Sequence, residues 1–221
     1  MTRLRYRAVL FDLDGTLIDS SVDIVASVRY ALRMIDEREP PGAEEILQEV
    51  GKPLELIVRN LGYAVDASRA GLFVDTYRAH YAEHFSDHTM LYPGVKEMLG
   101  EVRNAGAKLA LVTTKHQTQA DFTIAHYQLG QFFDYVHGYL DGRRHKPDPE
   151  PAQIATARIG IHPRDTIMVG DSEFDIETGR AAGTATCAVT YGFRPVQMLR
   201  CLRPDFIVSN PADIAGIIIE R

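Results

Sequence analysis

Cysteine is scarce. The 221-residue chain holds two, Cys187 and Cys201. They show no Cys-x-x-Cys spacing and make no disulfide framework, which suits reduced thiols in a cytoplasmic protein. Long apolar runs are also missing, since none approaches the ~20 residues of a membrane helix. The run Ala8–Phe11 follows a few basic residues but meets Asp12 at once. A signal peptide needs an apolar stretch of ~7–15 residues, so no targeting segment is expected. Positive charge is not in excess. Lys plus Arg is 24 against 30 Asp plus Glu, a formal net charge of −6. That balance argues against a dedicated nucleic-acid binder, which shows a basic stripe, and it obliges an anionic substrate to find local cations or a metal. Repeats, low-complexity tracts and long charge runs are absent. No Walker-type Gly-rich loop and no Gly-x-Ser-x-Gly elbow occurs, so nucleotide kinase and serine hydrolase readings have no support.

What remains is ordinary globular composition, 45% apolar and 24% charged, in a length that suits one or two domains. Short apolar runs alternate with helical patterns. Strands are predicted at Ala8–Phe11, Lys108–Val112, Tyr135–His137, Thr166–Val169, Ala185–Val189 and Phe206–Val208. Several lack polar alternation, as strands covered on both faces do. Helices are predicted from Pro93-Gly94 to near Gly106, and over Gln117–Tyr127, Glu150–Ile159, Glu173–Ala182 and Ala212–Glu220. Strand and helix in alternation mean an α/β domain with a mostly parallel sheet.

One stretch breaks the alternation. From Asp19 to about Thr89 there are helical stripes and no convincing strand. Ile24, Val25, Val28, Ala31, Leu32 and Ile35 form one stripe, Leu54, Ile57, Val58 and Leu61 a second, and Phe73, Tyr77, Tyr81 and Phe85 a third. Connections in compact α/β domains usually run ~2–6 residues, so this segment reads as an inserted helical domain. The expected division is a core of residues 1–16 and 90–221 and a helical insert of residues 17–89.

The chemistry-bearing residues sit at strand ends. In Phe11-Asp12-Leu13-Asp14-Gly15-Thr16, two carboxylates follow an apolar strand at a spacing of two. In an extended chain such residues share a side, and the carboxyl ends of parallel strands are where open α/β sheets bind ligands. The plain alternative is an Asp-Gly turn with solvated carboxylates. Leu109–Val112 ends in Thr113-Thr114-Lys115, and Thr166–Val169 ends in Gly170-Asp171-Ser172-Glu173-Phe174-Asp175. If these strands are neighbours, Asp12, Asp14, Asp171 and Asp175 converge. Like charges ~4 Å apart repel by ~4 kcal/mol at an effective dielectric of 20, so the cluster needs a divalent cation. Hard oxygen donors without His or Cys suit Mg²⁺. Asp175 could instead favour a helix N-terminus, and Asp171 could be a turn residue. Lys146 lies in His145-Lys146-Pro147-Asp148-Pro149-Glu150-Pro151, a stiff extended segment that can hold a fixed positive charge for a phosphate; the alternative is an exposed loop lysine.

These motifs resemble the haloacid-dehalogenase-like hydrolase superfamily, which is mostly phosphatases. FDLDGT at 11–16, LVTT at 111–114, Lys146 in KPDPEP and VGDSEFD at 169–175 stand in the superfamily's order. GTLIDS, KPDPEP and Tyr191-Gly192 are similar to its phosphoglycolate phosphatases and their pyrophosphatase relatives. The resemblance implies a Rossmann-like core with a helical cap inserted after the first motif. It makes Asp12 the nucleophile that forms an aspartyl-phosphate, Asp14 the general acid/base, Thr113 a ligand of the phosphate oxygens and Lys146 an offset for its charge. Mg²⁺ would sit on Asp12, the backbone carbonyl of Asp14 and Asp171, with Asp175 in support. Gly15 allows close backbone approach. Thr114 stands where many relatives carry Asn, a departure that bears on substrate preference or rate. Lys52, in Gly51-Lys52-Pro53-Leu54 between two helices of the insert, could bind a substrate carboxylate or phosphate, or be a surface lysine.

The implied activity is Mg²⁺-dependent hydrolysis of a small phosphorylated metabolite, foremost phosphoglycolate. Pyrophosphate, a sugar phosphate or intramolecular transfer as in a mutase are alternatives within the superfamily, and a phospho-acceptor signalling domain is a remote one. Neither nucleic acid nor membrane is an expected partner, and the chain is expected as a monomer or homodimer. His80, His84 and His88 recur at i, i+4, i+8 and read as an exposed helix face beside the aromatic stripe. That stripe itself reads as core of the insert.

Overall fold

A computed structural model describes residues 3–220. The chain divides into two compact units, Met1–Ile18 with Leu91–Arg221, and Asp19–Met90. The first is built on six parallel strands, labelled here β1 (Ala8–Phe11), β2 (Lys108–His116), β3 (Tyr135–Tyr139), β4 (Thr166–Gly170), β5 (Ala185–Val189) and β6 (Phe206–Val208). Their order across the sheet is β3-β2-β1-β4-β5-β6, the doubly wound order whose direction reverses beside β1. Phe11 is in register with Leu111 of β2 and Val169 of β4. The ends of β1 and β4 are therefore level to within a residue, and β2 runs on past both.

The sheet sorts its side chains by parity, because alternate residues of a strand face opposite sides. Val9, Phe11, Leu109, Leu111, Ile167 and Val169 share one apolar cluster. Val95, Met98, Leu99 and Val102 of α5 (Val95–Asn104), and Ile214, Ala215 and Ile218 of α10 (Pro211–Ile218), belong to the same cluster. Leu10, Ala110, Val112 and Met168 face the other way, against Ala152 and Ala155 of α7 (Glu150–Ile159) and Ala182 of α8 (Glu173–Ala182). Burial on both faces accounts for the continuous apolar runs in the sequence. α6 (Gln117–His126) follows β2, and α9 (Val196–Cys201) lies between β5 and β6.

Several expected bounds shift. β2 continues through Thr113, Thr114 and Lys115 to His116, so the polar cluster lies on the strand itself. The last helix stops at Ile218, and Ile219–Glu220 pairs antiparallel with Arg3–Leu4. Leu17 and Ile18, expected in the insert, are fully buried in the core cluster. The first crossing between units is therefore at residue 18, and the second lies after Met90.

The second unit holds α1 (Ser21–Ile35), α2 (Ala43–Glu49), α3 (Leu54–Asn60) and α4 (Ala67–His84). α1 packs along α4, burying Ile24, Val28, Ala31 and Leu32 from one and Phe73, Val74 and Tyr81 from the other. Asp66 caps α4, its side chain accepting the Arg69 N–H at 2.8 Å. The three histidines do not make a common exposed face. His80 stacks on Tyr30 with ring centroids 4.3 Å apart and shares a 2.9 Å hydrogen bond with the Ser27 hydroxyl. His88 lies beyond the helix end and reaches Asp23 at 3.0 Å. Helical periodicity predicts a common face only while the helix lasts. Asp23 closes the unit's two ends: its carboxylate accepts N–H groups from His88 and Thr89 and the Thr89 hydroxyl.

Candidate active site

The site forms at the C-terminal ends of β1, β2 and β4. Asp12 follows β1 directly and keeps the ladder, donating its N–H to Val169 O at 3.0 Å. The chain then leaves the strand. Leu17 and Ile18 donate to the Leu13 carbonyl, Gly15 donates to Ile18 O, and Gly15 has φ +84°. Gly is required here twice. The left-handed backbone disfavours a side chain, and a Cβ on Gly15 would run into the Asp171 carboxylate. A Cβ on Gly192 would meet Asp171 too, and one on Gly170 would meet Asp175. Three glycines thus let the backbone close around two carboxylates.

Asp12, Asp171 and Asp175 are buried and each offers an oxygen within 4.8 Å of the others. They come from the ends of β1 and β4 and the first turn of α8. Asp175 does two things at once. One oxygen accepts the Ser172 N–H at 3.1 Å and the Ser172 hydroxyl at 2.5 Å, a capping box that starts α8. Its other oxygen accepts from Lys146 Nζ at 2.6 Å. The same ammonium donates to Asp12 Oδ1 at 2.7 Å. Lys146 is 2% exposed, so the exposed-loop alternative fails; it is a buried cation bridging two carboxylates. Charge balance among the aspartates, expected from a metal alone, is carried in part by this ammonium.

Asp14 departs from the expected convergence. Its carboxylate lies outside the three-oxygen group and is paired with Lys115 Nζ at 2.9 and 2.8 Å. The physical reason is the turn at 13–18, which ends the strand geometry on which an i, i+2 alignment depends. Thr113 is 5% exposed, and its hydroxyl oxygen accepts the Lys115 N–H at 3.1 Å. Thr114 is half-buried on the same strand. Lys52, in the helical unit, donates to Glu49 at 2.7 Å, and Asn60 donates to the same oxygen.

Electrostatics distinguish the members. Burial pushes the Asp12 carboxyl up to about 7 against the pull of Lys146, with Asp175 adding to the rise. Burial likewise raises Asp171 to about 8, helped by Asp175 and Asp12 and opposed by the Phe193 N–H. Desolvation works against the Lys146 ammonium, but Asp12 and Asp175 outweigh it and hold the amine protonated well above its usual range. Asp171 accepts the Phe193 N–H at 2.7 Å and the Thr16 hydroxyl at 3.3 Å. Two short-of-charge carboxylates among three, all with hard oxygen donors, fit a divalent cation such as Mg²⁺. A bound cation would hold them ionised.

Several members of the site escape sequence reasoning. Lys115 is visible there only as the residue after Thr113-Thr114. Phe193 contributes a backbone N–H, which no side-chain pattern reveals. Arg194, 4% exposed, donates to Glu173 at 2.7 Å and fixes the loop that carries Phe193. Tyr191 does stand in a motif, and its hydroxyl donates to Thr16 O at 3.0 Å.

Comparison with known proteins agrees with this geometry. Residues 9–189 match the family model described as haloacid dehalogenase-like hydrolase. A pyrophosphatase PpaX of Bacillus velezensis is 34% identical over 220 residues, 98% of each chain. One of Oceanobacillus iheyensis is 32% identical over 96% of each. A crystal structure described as a predicted phosphoglycolate phosphatase from Haemophilus somnus superposes with a TM-score of 0.88 at 26% identity, covering 96% of this chain and 98% of that one. With four motifs gathered on a doubly wound sheet and a match spanning most of its length, the chain belongs to the haloacid dehalogenase-like hydrolase family.

Proposed function

We propose that this hydrolase moves a phosphoryl group from a small phosphate compound onto Asp12 and then to water. The observation that carries the reading is the Lys146 ammonium 2.7 Å from Asp12 Oδ1, inside a buried group of oxygen donors at the ends of β1 and β4 and the start of α8. Anchoring one oxygen orients the carboxylate for attack on phosphorus. In the first step a P–O bond forms to Asp12 and the bond to the leaving group breaks, with Asp14 giving a proton to the departing oxygen. In the second, Asp14 takes a proton from water, the water oxygen bonds to phosphorus, and the Asp12 carboxylate is released. The Thr113 hydroxyl oxygen already accepts a backbone N–H, and its own hydrogen remains available for a phosphate oxygen. Lys146 offsets charge at the transferring group. Asp12, Asp171 and Asp175, with the Asp14 carbonyl, would hold Mg²⁺, which when bound screens the dianionic phosphate from the carboxylate that attacks it. Positioning and charge stabilisation of this kind are what phosphoryl transfer chiefly requires.

Two substrates have specific support. A phosphomonoester such as phosphoglycolate agrees with the GTLIDS and KPDPEP motifs and with the fold of the Haemophilus protein. Inorganic pyrophosphate agrees with the names of relatives matched over nearly the whole chain. Thr114, beside Thr113 on β2, is the residue proposed to set the preference. The deciding measurement is kcat/KM across phosphoglycolate, pyrophosphate, sugar phosphates and p-nitrophenyl phosphate, with and without Mg²⁺. Turnover that vanishes on chelation is expected, and the largest kcat/KM names the substrate. Hydrolysis indifferent to chelation overturns the reading.

A further inference from the structure

Lys115 has no part in the four motifs, yet it joins two of them. Its backbone N–H is given to the Thr113 hydroxyl oxygen at 3.1 Å. Its ammonium meets both oxygens of Asp14, at 2.9 and 2.8 Å. The pair is sheltered, with the lysine side chain 7% and the aspartate side chain 11% exposed. Asp14 sits on a turn beyond the end of its strand, where backbone pairing no longer dictates side-chain direction. Its neighbours in the turn hold the backbone through Gly15 and Leu17, and the carboxylate is directed by a side chain from β2. Lys115 lies on β2 beyond its last pair with β1, Phe11 with Leu111, in a stretch where the register against β3 shifts, and the pairs of Val112 with His137 and His116 with Tyr139 hold the backbone on either side of it.

We propose that Lys115 is a positioning residue: anchored by its own N–H to the phosphate-binding hydroxyl of Thr113, it clamps the Asp14 carboxylate at the distance and angle needed to pass a proton to the leaving-group oxygen. The inference rests on the reading of Asp14 as the proton carrier. A two-point contact fixes the carboxylate plane as well as its place, which a single hydrogen bond does not. A group that acts by proton transfer must stand within hydrogen-bond reach of the atom it serves, and small misplacements are costly. Binding of phosphate, by contrast, uses Thr113 and Lys146, neither of which Lys115 holds by its side chain.

Leaving-group dependence separates this role from a merely structural one. Phosphoglycolate expels an alkoxide, which needs a proton. p-Nitrophenyl phosphate expels a phenolate that departs without one. Lys115→Met is expected to lower kcat/KM, which reports the transfer to Asp12 and not the later attack of water, by about 100-fold on phosphoglycolate and by less than about 5-fold on p-nitrophenyl phosphate. Lys115→Arg, which keeps the charge at an altered reach, is expected to fall between. Asp14→Asn is the reference and should show the same contrast between substrates. If Asp14→Asn shows the contrast and Lys115→Met does not, the clamp is overturned and the reading of Asp14 stands. If Asp14→Asn shows none, the reading of Asp14 itself fails. Equal losses on both substrates in Lys115→Met also overturn the clamp. Should Lys115→Met fail to fold, Lys115→Gln and Lys115→Arg are measured on the same two substrates, and equal losses there overturn it in the same way.

Discussion

Two buried aspartates, one in each unit, live in opposite circumstances. Asp23 and Asp171 are each 2% exposed. Asp23 accepts N–H groups from His88 and Thr89, the Thr89 hydroxyl and a contact from the His88 ring. Burial alone would raise its carboxyl, but these hydrogen bonds overcome burial and hold it below the usual range. Asp171 has one backbone N–H and one long hydroxyl contact. Burial, together with Asp175 and Asp12, pushes it up to about 8. The first carboxylate is satisfied by its surroundings and ties a helix to a loop. The second is left short of positive charge, and the shortage suits a cation. Burial by itself does not mark a functional carboxylate; incomplete compensation does.

The largest expected effect breaks the site side of this contrast. Asp12→Asn removes the oxygen proposed to attack phosphorus while keeping size and burial. We expect kcat to fall by at least about 1000-fold, with thermal unfolding close to that of the parent. Turnover at the parental rate would sink the nucleophile assignment.

Next comes pH. The folded values of Asp12 and Asp171, about 7 and about 8, lie above the ordinary carboxylate value near 4. Between those limits the metal-free folded state binds protons that the unfolded chain gives up. The contribution of these two groups to stability is therefore present below about pH 4 and lost as pH climbs through 7 and 8. A divalent cation must displace those protons, so Mg²⁺ should release them and bind more weakly as pH falls. Melting curves with and without Mg²⁺ across this range check it: the Mg²⁺-induced rise in Tm should grow with pH. A rise that is flat in pH would refute the shortage of charge.

Asp23 should respond with the opposite sign. Its depressed folded value contributes stability above the unfolded carboxylate range, and that contribution is lost as pH falls through the folded value. Asp23→Asn is expected to cost about 1–3 kcal/mol at neutral pH, read from chemical denaturation, and to flatten the acid limb of stability. Hydrogen exchange should place the loss in α1 and α4. The smallest effect sharpens the comparison from outside. His84 is paired with Asp87 at 2.8 Å, but both side chains are well exposed. His84→Gln should change stability by no more than about 0.5 kcal/mol, and a larger loss would mean the exposed pair is held as tightly as the buried ones.

The contrast also explains what the sequence displays and what it hides. The strand Ala8–Phe11 is bounded as its apolar run is, because a strand covered on both faces admits no polar interruption, and Ala185–Val189 and Phe206–Val208 keep their expected bounds as well. The strand from Lys108 is less legible. It runs past the apolar stretch through Thr113 to His116, since the last residues meet the site and not a helix. Lys146 is legible as a cation on a stiff segment, yet its burial and its bridge from Asp12 to Asp175 are not. Periodicity brings His80 and His84 together, with ring centroids 4.4 Å apart, but misplaces His88, because the helix ends at His84 and His88 turns back to Asp23.

By itself the sequence determined the α/β alternation, the helical insertion and the identity of the residues at the strand ends, because each is written in local periodicity and composition. Tertiary structure alone decided the sheet order that brings residue 12 beside residue 171, the turn that diverts Asp14 to Lys115, and the backbone N–H of Phe193 aimed at Asp171. These depend on which strands become neighbours and on contacts between residues far apart in the chain, and no periodicity encodes such contacts.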